Sequence, residues 1–292
     1  MSEPPSPAPA VSGPWCLALA LAVAGVAASW QTWADILGVA TRDPEASHVL
    51  LAPLVLAWLA WTRRADLARL RPGPRWPGPA LVATGWLMSY LGFYHAVETL
   101  WHLSAVLILL GCLVSATGTG LLTPRLLPLV AALVFCVPIP GSLRQAVAIP
   151  LQTAAAVLTQ QAFHLLHLEV IRHGNVLCFH GTDVAVAEGC NGVRLITPLV
   201  MVIYAAAFAR PLTGTVRAVL LLAAPIAALA GNVARLVPTV WLYGCTNASV
   251  AGSFHHWSGW MLAPLTLLAL IGVLRLLPRA WIESPQHPSS NP

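Results

Sequence analysis

The sequence predicts an all-α polytopic membrane protein with about eight transmembrane helices. Three features of the 292-residue chain indicate this class: 58% of the residues are hydrophobic, only 9% are charged, and the mean hydropathy is +0.75. A soluble domain has roughly 25% charged residues, and one of this size cannot bury so much apolar side chain. Disordered and fibrous chains are excluded as well, because they need polarity or strict repeats.

Eight apolar runs can serve as spans, since a helix that crosses the bilayer needs about 20 largely apolar residues. The second run is short, and we expect residues before His48 to complete it. The seventh contains Arg235, Pro225 and Pro238, so a kink or partial unwinding is expected there. The predicted spans are 14–34, 48–61, 77–94, 99–116, 121–137, 189–209, 214–243 and 258–277.

One long loop, 141–188, separates the fifth and sixth spans. Its first part, 143–168, predicts an interfacial helix. Its second part predicts a β-hairpin, because two β-prone runs flank Gly181 and Thr182. We expect 14–277 to form a single bundle domain and the polar ends, 1–13 and 278–292, to be disordered. No cleavable signal peptide is expected, because the first apolar run is long and lacks a basic region before it.

All fifteen basic residues are arginine, and their placement predicts the orientation. Arginine concentrates in the cytoplasmic loops of membrane proteins. The loop between the second and third spans is therefore cytoplasmic, and both termini lie on the same side. Ten arginines fall on that side: Arg63, Arg64, Arg69, Arg71, Arg75, Arg125, Arg210, Arg217, Arg275 and Arg279.

Most histidines and acidic residues map to the opposite, outer side, so any chemistry faces outward. Cys190 opens the sixth span there, and His255 and His256 precede the eighth. Arg235 follows Arg217 by eighteen residues, or about 27 Å of helix, which places it near the outer leaflet. Topology thus brings a thiol, a guanidinium and an imidazole to one level without showing that they are neighbours.

These three side chains suit acyl transfer. A helix N-terminus or a nearby cation, such as Arg235 or Arg194, lowers the pKa of a cysteine and favours its thiolate. Histidine can protonate a leaving amine, and arginine can stabilise an oxyanion. The alternative is that both arginines are structural and pair with Glu188 or helix-end carbonyls. A metal site at His164, His167, His173 and His180 is a weaker alternative, so no metal or cofactor is expected.

Several short segments resemble, in order, the motifs of the exosortase/archaeosortase family. Residues 187–194 resemble its A-E-A-C-S-G-L-R motif, 232–235 its N-x-x-R motif, and 254–260 its H-(D)-x-x-G-W motif. The spacing to the glycine in the third motif selects His255 over His256. Further landmarks lie at 47–50 with Pro53, at 63–64, at 138–141 and at 174–176, so the resemblance covers roughly 45–277.

The resemblance implies a membrane-embedded cysteine protease that acts as a transpeptidase in the bacterial inner membrane, beside exopolysaccharide export. Such enzymes act on exported proteins whose C-terminal signal has a short motif (PEP in one group), a transmembrane helix and a basic tail. Cys190 is then the nucleophile, Arg235 stabilises thiolate or oxyanion, and His255 is the acid/base. Supporting roles are expected for Glu188, Asn191, Arg194, Asn232 and His256; the expected partners are such substrates, lipid and the export machinery, and no nucleic acid.

The sequence departs from the family pattern at several positions. Asn191 replaces the usual serine, Gly189 an alanine, His256 an aspartate and Val49 a glycine. The three catalytic candidates are intact, so the departures bear on the signal that is recognised. Two other classes remain open: a transporter or lipid-linked glycan transferase, and a non-catalytic partner of an export complex.

Overall fold

The computed structural model describes residues 13–186 and 193–276, and helices make up most of both ranges. The helices are α1 (Gly13–Ala28), α2 (Trp30–Arg42), α3 (Ala52–Thr62), α4 (Arg64–Ala68), α5 (Pro77–Tyr94), α6 (Glu98–Thr117), α7 (Leu127–Ala131), α8 (Gly141–Leu165), α9 (Val193–Ala209), α10 (Gly214–Cys245) and α11 (Ala248–Leu276). Short 3₁₀ helices cover Ser47–Leu51, Thr119–Leu122 and Ala132–Cys136. The strands are β1 (Ile171–His173), β2 (Val176–Phe179) and β3 (Thr182–Ala185). The chain ends predicted to be disordered lie outside the described residues, except for Gly13.

Two helices in the described part of the chain, α6 and α10, are long and apolar enough to cross a membrane. Two bent pairs pass the same test together, α1 with α2 and Leu127–Cys136 with α8, which gives up to four spans. The protein is therefore a largely helical membrane protein with a small sheet, and the count of eight spans is not confirmed. Contacts divide the chain into two units between Pro138 and Ile139, and the single bundle domain stays a prediction.

In the first unit, the predicted span 14–34 is two helices that meet at Ser29 with a bend of 76°. The Ser29 hydroxyl donates to the carbonyl of Gly25 at 2.7 Å, a local bond that competes with regular helix geometry. The predicted extension of the second span before His48 is also wrong. There the Asp43 carboxylate accepts a hydrogen bond from the Glu45 N–H at 2.9 Å, which favours a turn.

The fifth predicted span, 121–137, is not one helix. Its residues form the end of one 3₁₀ helix, a turn, α7, and a second 3₁₀ helix that follows α7 directly. Pro124 and Pro128 lie in this segment, and proline has no N–H for the hydrogen bonds of a helix interior. An apolar run of sufficient length therefore does not form a regular span here.

Close packing of α5 on α6 organises the first unit. Gly78, Gly85 and Gly92 recur every seven residues on α5 and are all buried. A Cβ at Gly85 would lie 2.8 Å from Ile108, and one at Gly92 would lie 2.6 Å from the backbone of Trp101. Small residues let membrane helices approach to backbone contact, so this glycine repeat fixes how the two helices meet.

In the second unit, the three strands form an antiparallel sheet in the order β1-β2-β3. The hairpin β2–β3 confirms the predicted one, and β1 is a strand that the sequence did not predict. Leu177 and Phe179 of β2 are buried against Phe163 of α8 and Leu236 of α10. The sheet is thus fixed to the helices through one apolar face.

The helix α10 contacts most other elements of the second unit. It is continuous over 32 residues, so the predicted partial unwinding at Pro225 and Pro238 is not found. Its first half packs on α9 through a buried row of small and branched residues that includes Ile203 and Ala224. Its second half packs on the sheet and contacts α11. One long helix therefore connects the apolar bundle to the sheet.

Candidate active site

Arg235 lies in the second half of α10, with only 8% of its surface exposed. Its Nη2 donates a hydrogen bond to Oδ1 of Asn232, one helical turn earlier, at 2.9 Å. Asn232 is fully buried. A buried guanidinium is costly unless polar groups compensate it, so the Asn232 amide both stabilises the charge and fixes its direction.

His255 lies inside α11 and not before it, because α11 begins ten residues earlier than the predicted span at Ser258. The Asn247 side chain accepts a hydrogen bond from the Val250 N–H at 2.9 Å, as an N-cap residue does. The longer helix separates the two adjacent histidines. His255 is partly buried, whereas His256 is exposed and contacts Trp257 edge to face.

The electrostatic surroundings keep His255 neutral. His255 lies three residues before the predicted eighth span. Burial lowers the pKa of His255 below its ordinary value, and the positive charges of Arg235 and His256 lower it further. The neutral imidazole therefore predominates at pH 7 and can accept a proton from a donor beside it. Arg235, Asn232 and His255 lie on the two helices α10 and α11, which pack on each other, and we call these three side chains the cluster.

Gly259 makes room for the guanidinium. It lies one turn after His255 on α11, and a Cβ at this position would come within 3.0 Å of Arg235 Nη1. Few real Cβ contacts are that short, so any side chain here would press on the guanidinium. Arg235 is thus held between Asn232 on its own helix and the bare backbone of α11.

A cavity of about 260 Å³ opens beside this cluster. Three segments form its walls: the strand β3, the second half of α10 and the start of α11. The lining residues are Asp183, Val184, Ala185, Leu236, Thr239, Tyr243 and His255. Its mixed apolar and polar lining suits a short peptide segment that approaches His255.

The structure places some of the other predicted site residues. Cys190, Glu188 and Asn191 lie outside the described residues, which resume at Val193. Arg194 follows in the first turn of α9, a helix that contacts both α10 and α11. The described residues therefore bring together Asn232, Arg235 and His255, and the helix that follows Cys190 is their neighbour.

Outside this cluster, the hairpin of β2 and β3 holds another cysteine, Cys178. A hydrogen bond to the Asp183 carboxylate raises the pKa of the Cys178 thiol, and so does the negative charge of that carboxylate. Cys178 is therefore a poor source of thiolate at neutral pH. The histidines considered for a metal do not gather, since no group of three or more His, Cys, Asp or Glu side chains with metal-binding geometry occurs among the described residues.

Comparison with known proteins decides the family. The model of the transmembrane exosortases matches residues 33–272, which is 240 of the 292 residues. The chain belongs to the transmembrane exosortase family. No curated protein and no solved structure matches it. Membership makes this exosortase a membrane protein of the protease or transpeptidase type.

Two parts of the site of this exosortase were not predicted from the sequence. The first is the space at Gly259, which only the packing of α10 on α11 reveals. The second is the cavity wall formed by β3, Thr239 and Tyr243. A signal for the three-stranded sheet was present, since Gly174 and Asn175 separate two β-prone runs and form the tight turn between β1 and β2.

Proposed function

We propose that this exosortase is a cysteine transpeptidase that cleaves C-terminal sorting signals of exported proteins at the outer face of the bacterial inner membrane. Cys190 is the nucleophile, Arg235 the electrostatic stabiliser and His255 the acid/base. The observation that supports this most is the cluster of Arg235 and His255 beside a peptide-sized cavity. A buried arginine and a neutral histidine next to each other are costly to maintain, as functional groups in membrane helices generally are.

The chemistry follows from the ordinary properties of these groups. Neutral His255 takes the proton of the Cys190 thiol, and the thiolate attacks the carbonyl carbon of the scissile peptide bond. The negative charge on the carbonyl oxygen is stabilised by Arg235. The C–N bond then breaks, His255 returns its proton to the leaving amine, and the product remains as a thioester on Cys190. An acceptor amine or hydroxyl attacks the thioester, gives its proton to His255 and releases the thiolate.

The length of the chain is compatible with this role for Cys190. Val186 is buried in the same apolar cluster as Leu236, the residue after Arg235. Four residues of chain from Val186 to Cys190 reach at most about 14 Å. Cys190 also precedes α9, a neighbour of α10 and α11, by three residues. The described chain on both sides of Cys190 thus belongs to elements that pack around the cluster, which supports the proposed role.

Supporting roles are proposed for the neighbouring polar residues. Asn232 orients Arg235 through its 2.9 Å hydrogen bond. Arg194, in the first turn of α9, favours the Cys190 thiolate, and Glu188 and Asn191 position the nucleophile segment. His256 lowers the pKa of His255 through its charge. None of these groups forms a bond to the substrate in the proposed reaction.

The proposed arrangement in the membrane follows from the distribution of arginine. Ten arginines on the cytoplasmic side, with both termini, leave the cluster on the outer side. The substrate enters laterally, with its transmembrane helix in the lipid and its scissile bond at the outer interface. The single bundle domain over 14–277 is part of this proposal, as is a link to exopolysaccharide and biofilm export.

The proposal is tested by processing of an exported reporter. The reporter carries Pro-Glu-Pro, an apolar span and an Arg-rich tail, and it is produced with this protein in bacteria that lack any exosortase. Further reporters carry other short motifs before the same span, and they test directly whether this protein recognises a motif other than Pro-Glu-Pro. We expect at least one tail to be shortened, as seen by immunoblot and by mass spectrometry of the new C-terminus. Failure of every tail to be processed above the level seen without this protein would contradict the function.

Replacing Gly259 with valine should misplace Arg235 and reduce reporter processing by roughly 10- to 100-fold, since a displacement of about 1 Å at a reacting centre can cost that much. Gly259→Ala should cost less, because the guanidinium needs to move only slightly from a Cβ at 3.0 Å. The matched control is Gly272→Val on the same helix, where a Cβ meets no atom within 4 Å. Equal activity of the two valine variants, at equal amounts in the membrane, would exclude this role of Gly259.

A further inference from the structure

The strand β3 lies at one end of the sheet, and we call the side of β3 that faces away from β2 its outer edge. In the described part of the chain, β3 pairs with β2 and no other strand pairs with it. Edge strands present a row of main-chain N–H and C=O groups to whatever lies beside them. Any segment that lies along β3 therefore meets donors and acceptors at fixed spacing.

The register identifies which groups point outward. The Val186 N–H donates to the carbonyl of Asn175 at 2.8 Å, so these two residues form a hydrogen-bonded pair across the hairpin. Hydrogen-bonded pairs alternate along an antiparallel ladder. Val184 and Thr182 therefore direct their main-chain groups toward β2. Asp183 and Ala185 direct their N–H and C=O groups away from it.

The cavity beside His255 runs along this outer edge. Successive side chains of a strand point to opposite faces, so a cavity above one face would be lined by alternate residues. This cavity is lined by three consecutive residues, Asp183, Val184 and Ala185, as expected for a cavity that lies along the edge. The opposite wall is one face of α10, formed by Leu236, Thr239 and Tyr243, at the spacing of a helix.

We propose that the substrate binds here as a fourth strand, with the extended segment next to the scissile bond paired to the outer edge of β3. The inference rests on the proposed function, since it assumes that the substrate is a peptide. The cavity of about 260 Å³ has the volume of roughly nine water molecules, which admits a short extended main chain but no folded domain. His255 lines the same cavity, and β3 leads within five residues to Cys190.

Strand addition also explains how one site accepts different signals. Main-chain hydrogen bonds supply affinity without reading the side chains, and the pockets around them add selectivity. The four outward groups of Asp183 and Ala185 can bond two alternate residues of the substrate. The departures from the family motifs at Gly189 and Asn191 then affect selectivity, while the mode of docking is kept.

The test measures peptide binding apart from catalysis. Full-length protein with Cys190→Ala, in detergent micelles, is titrated with fluorescein-labelled decapeptides that contain Pro-Glu-Pro or one of the other reporter motifs. Each amide of the tightest peptide that carries an N–H, which excludes those of proline, is then N-methylated in turn. Methylation deletes an N–H donor and adds bulk, so we expect about tenfold weaker binding at alternate positions and little change at those between. The proposal would be overturned if N-methylation weakened binding equally at all positions, if it weakened binding at none, or if no peptide bound at all.

A variant of the protein tests the same contact from the other side. Ala185→Pro removes the outward N–H and leaves the hydrogen bonds to β2, as proline at a strand edge can. We expect at least fivefold weaker binding, about the effect of one lost hydrogen bond. Thermal unfolding checks that the variant folds. If Ala185→Pro does not fold, the N-methyl series alone decides.

The two proposals can fail separately. If N-methylation weakens binding at alternate positions but no reporter is processed, the proposed function is overturned and the docking site is kept. If reporters are processed but the effect of N-methylation does not alternate, the docking site is overturned and the proposed function is kept.

Discussion

Replacing Cys190 with serine is expected to lower reporter processing by at least about 1,000-fold. A serine hydroxyl is far less acidic than a thiol, so neutral His255 cannot generate the anion at a useful concentration. The expected signature is a full-length reporter in the presence of normal amounts of the variant. Membrane yield, size-exclusion profile and thermal unfolding should match those of the unchanged protein, because the substitution alters one atom.

The matched control for this variant is Cys178→Ser. Cys178 lies on β2, and the neighbouring Asp183 raises the pKa of its thiol. The same substitution there should leave processing within about twofold, as surface changes usually do. Wild-type processing by Cys190→Ser, or equal loss in both variants, would contradict the assignment of the nucleophile.

Replacing Arg235 with alanine is expected to reduce processing by about 100- to 1,000-fold, the usual effect of removing one group that stabilises an oxyanion. Arg235→Lys should recover part of this, because lysine keeps the charge but cannot reproduce the planar contact with Asn232. The loss should fall mainly on kcat, since the charge acts on the transition state. In addition, the pKa of His255 should rise in Arg235→Ala, which shifts the acidic limb of the pH–rate profile upward.

The control for Arg235 is Arg217→Ala on the same helix. Arg217 lies in the first turn of α10, where its Nε donates to the carbonyl of Ala207 at 3.3 Å and its guanidinium stacks on Phe208. Its loss should lower stability slightly and leave the pH–rate profile unchanged. A purely structural Arg235 would instead lower the amount of folded protein and leave kcat per folded molecule unchanged, and that result would exclude its catalytic role.

Helices with clear boundaries in the sequence were predicted well. The predicted span 77–94 is α5 to the residue, because Pro77 begins it and the chain turns after Tyr94. The span 99–116 differs from α6 by one residue at each end. In both cases an apolar run of sufficient length coincides with local signals for a start and a stop.

Local polar contacts and proline explain the helices that were predicted incorrectly. Apolar length alone did not reveal the bend at Ser29 or the breaks near Pro124 and Pro128. Asn247, an N-cap residue that precedes a polar stretch, signals the early start of α11, whereas hydropathy detects only the apolar run that follows. Hydropathy finds residues compatible with lipid, whereas hydrogen bonds decide where helices begin and end.

The candidate site was partly accessible from the sequence. Topology predicts Arg235 and His255 at one level, and in the structure Gly259, one turn after His255, packs beside the Arg235 guanidinium. The choice of His255 over His256 rested on motif spacing, and burial separates the two residues in the same sense. The space at Gly259 and the slot along β3 could not be predicted, since both arise from contacts between segments distant in the chain. The role of Cys190 stays a prediction.

The most direct test of the central claim is to trap the thioester. Purified full-length protein is mixed with a processed reporter peptide, quenched in acid within one turnover, digested and mapped by mass spectrometry. We expect Cys190 to carry the N-terminal product as a hydroxylamine-sensitive adduct. Cys178 should carry none, and the adduct should be absent in Cys190→Ser. Processing that proceeds with no adduct on Cys190, or with the adduct on another residue, would contradict it.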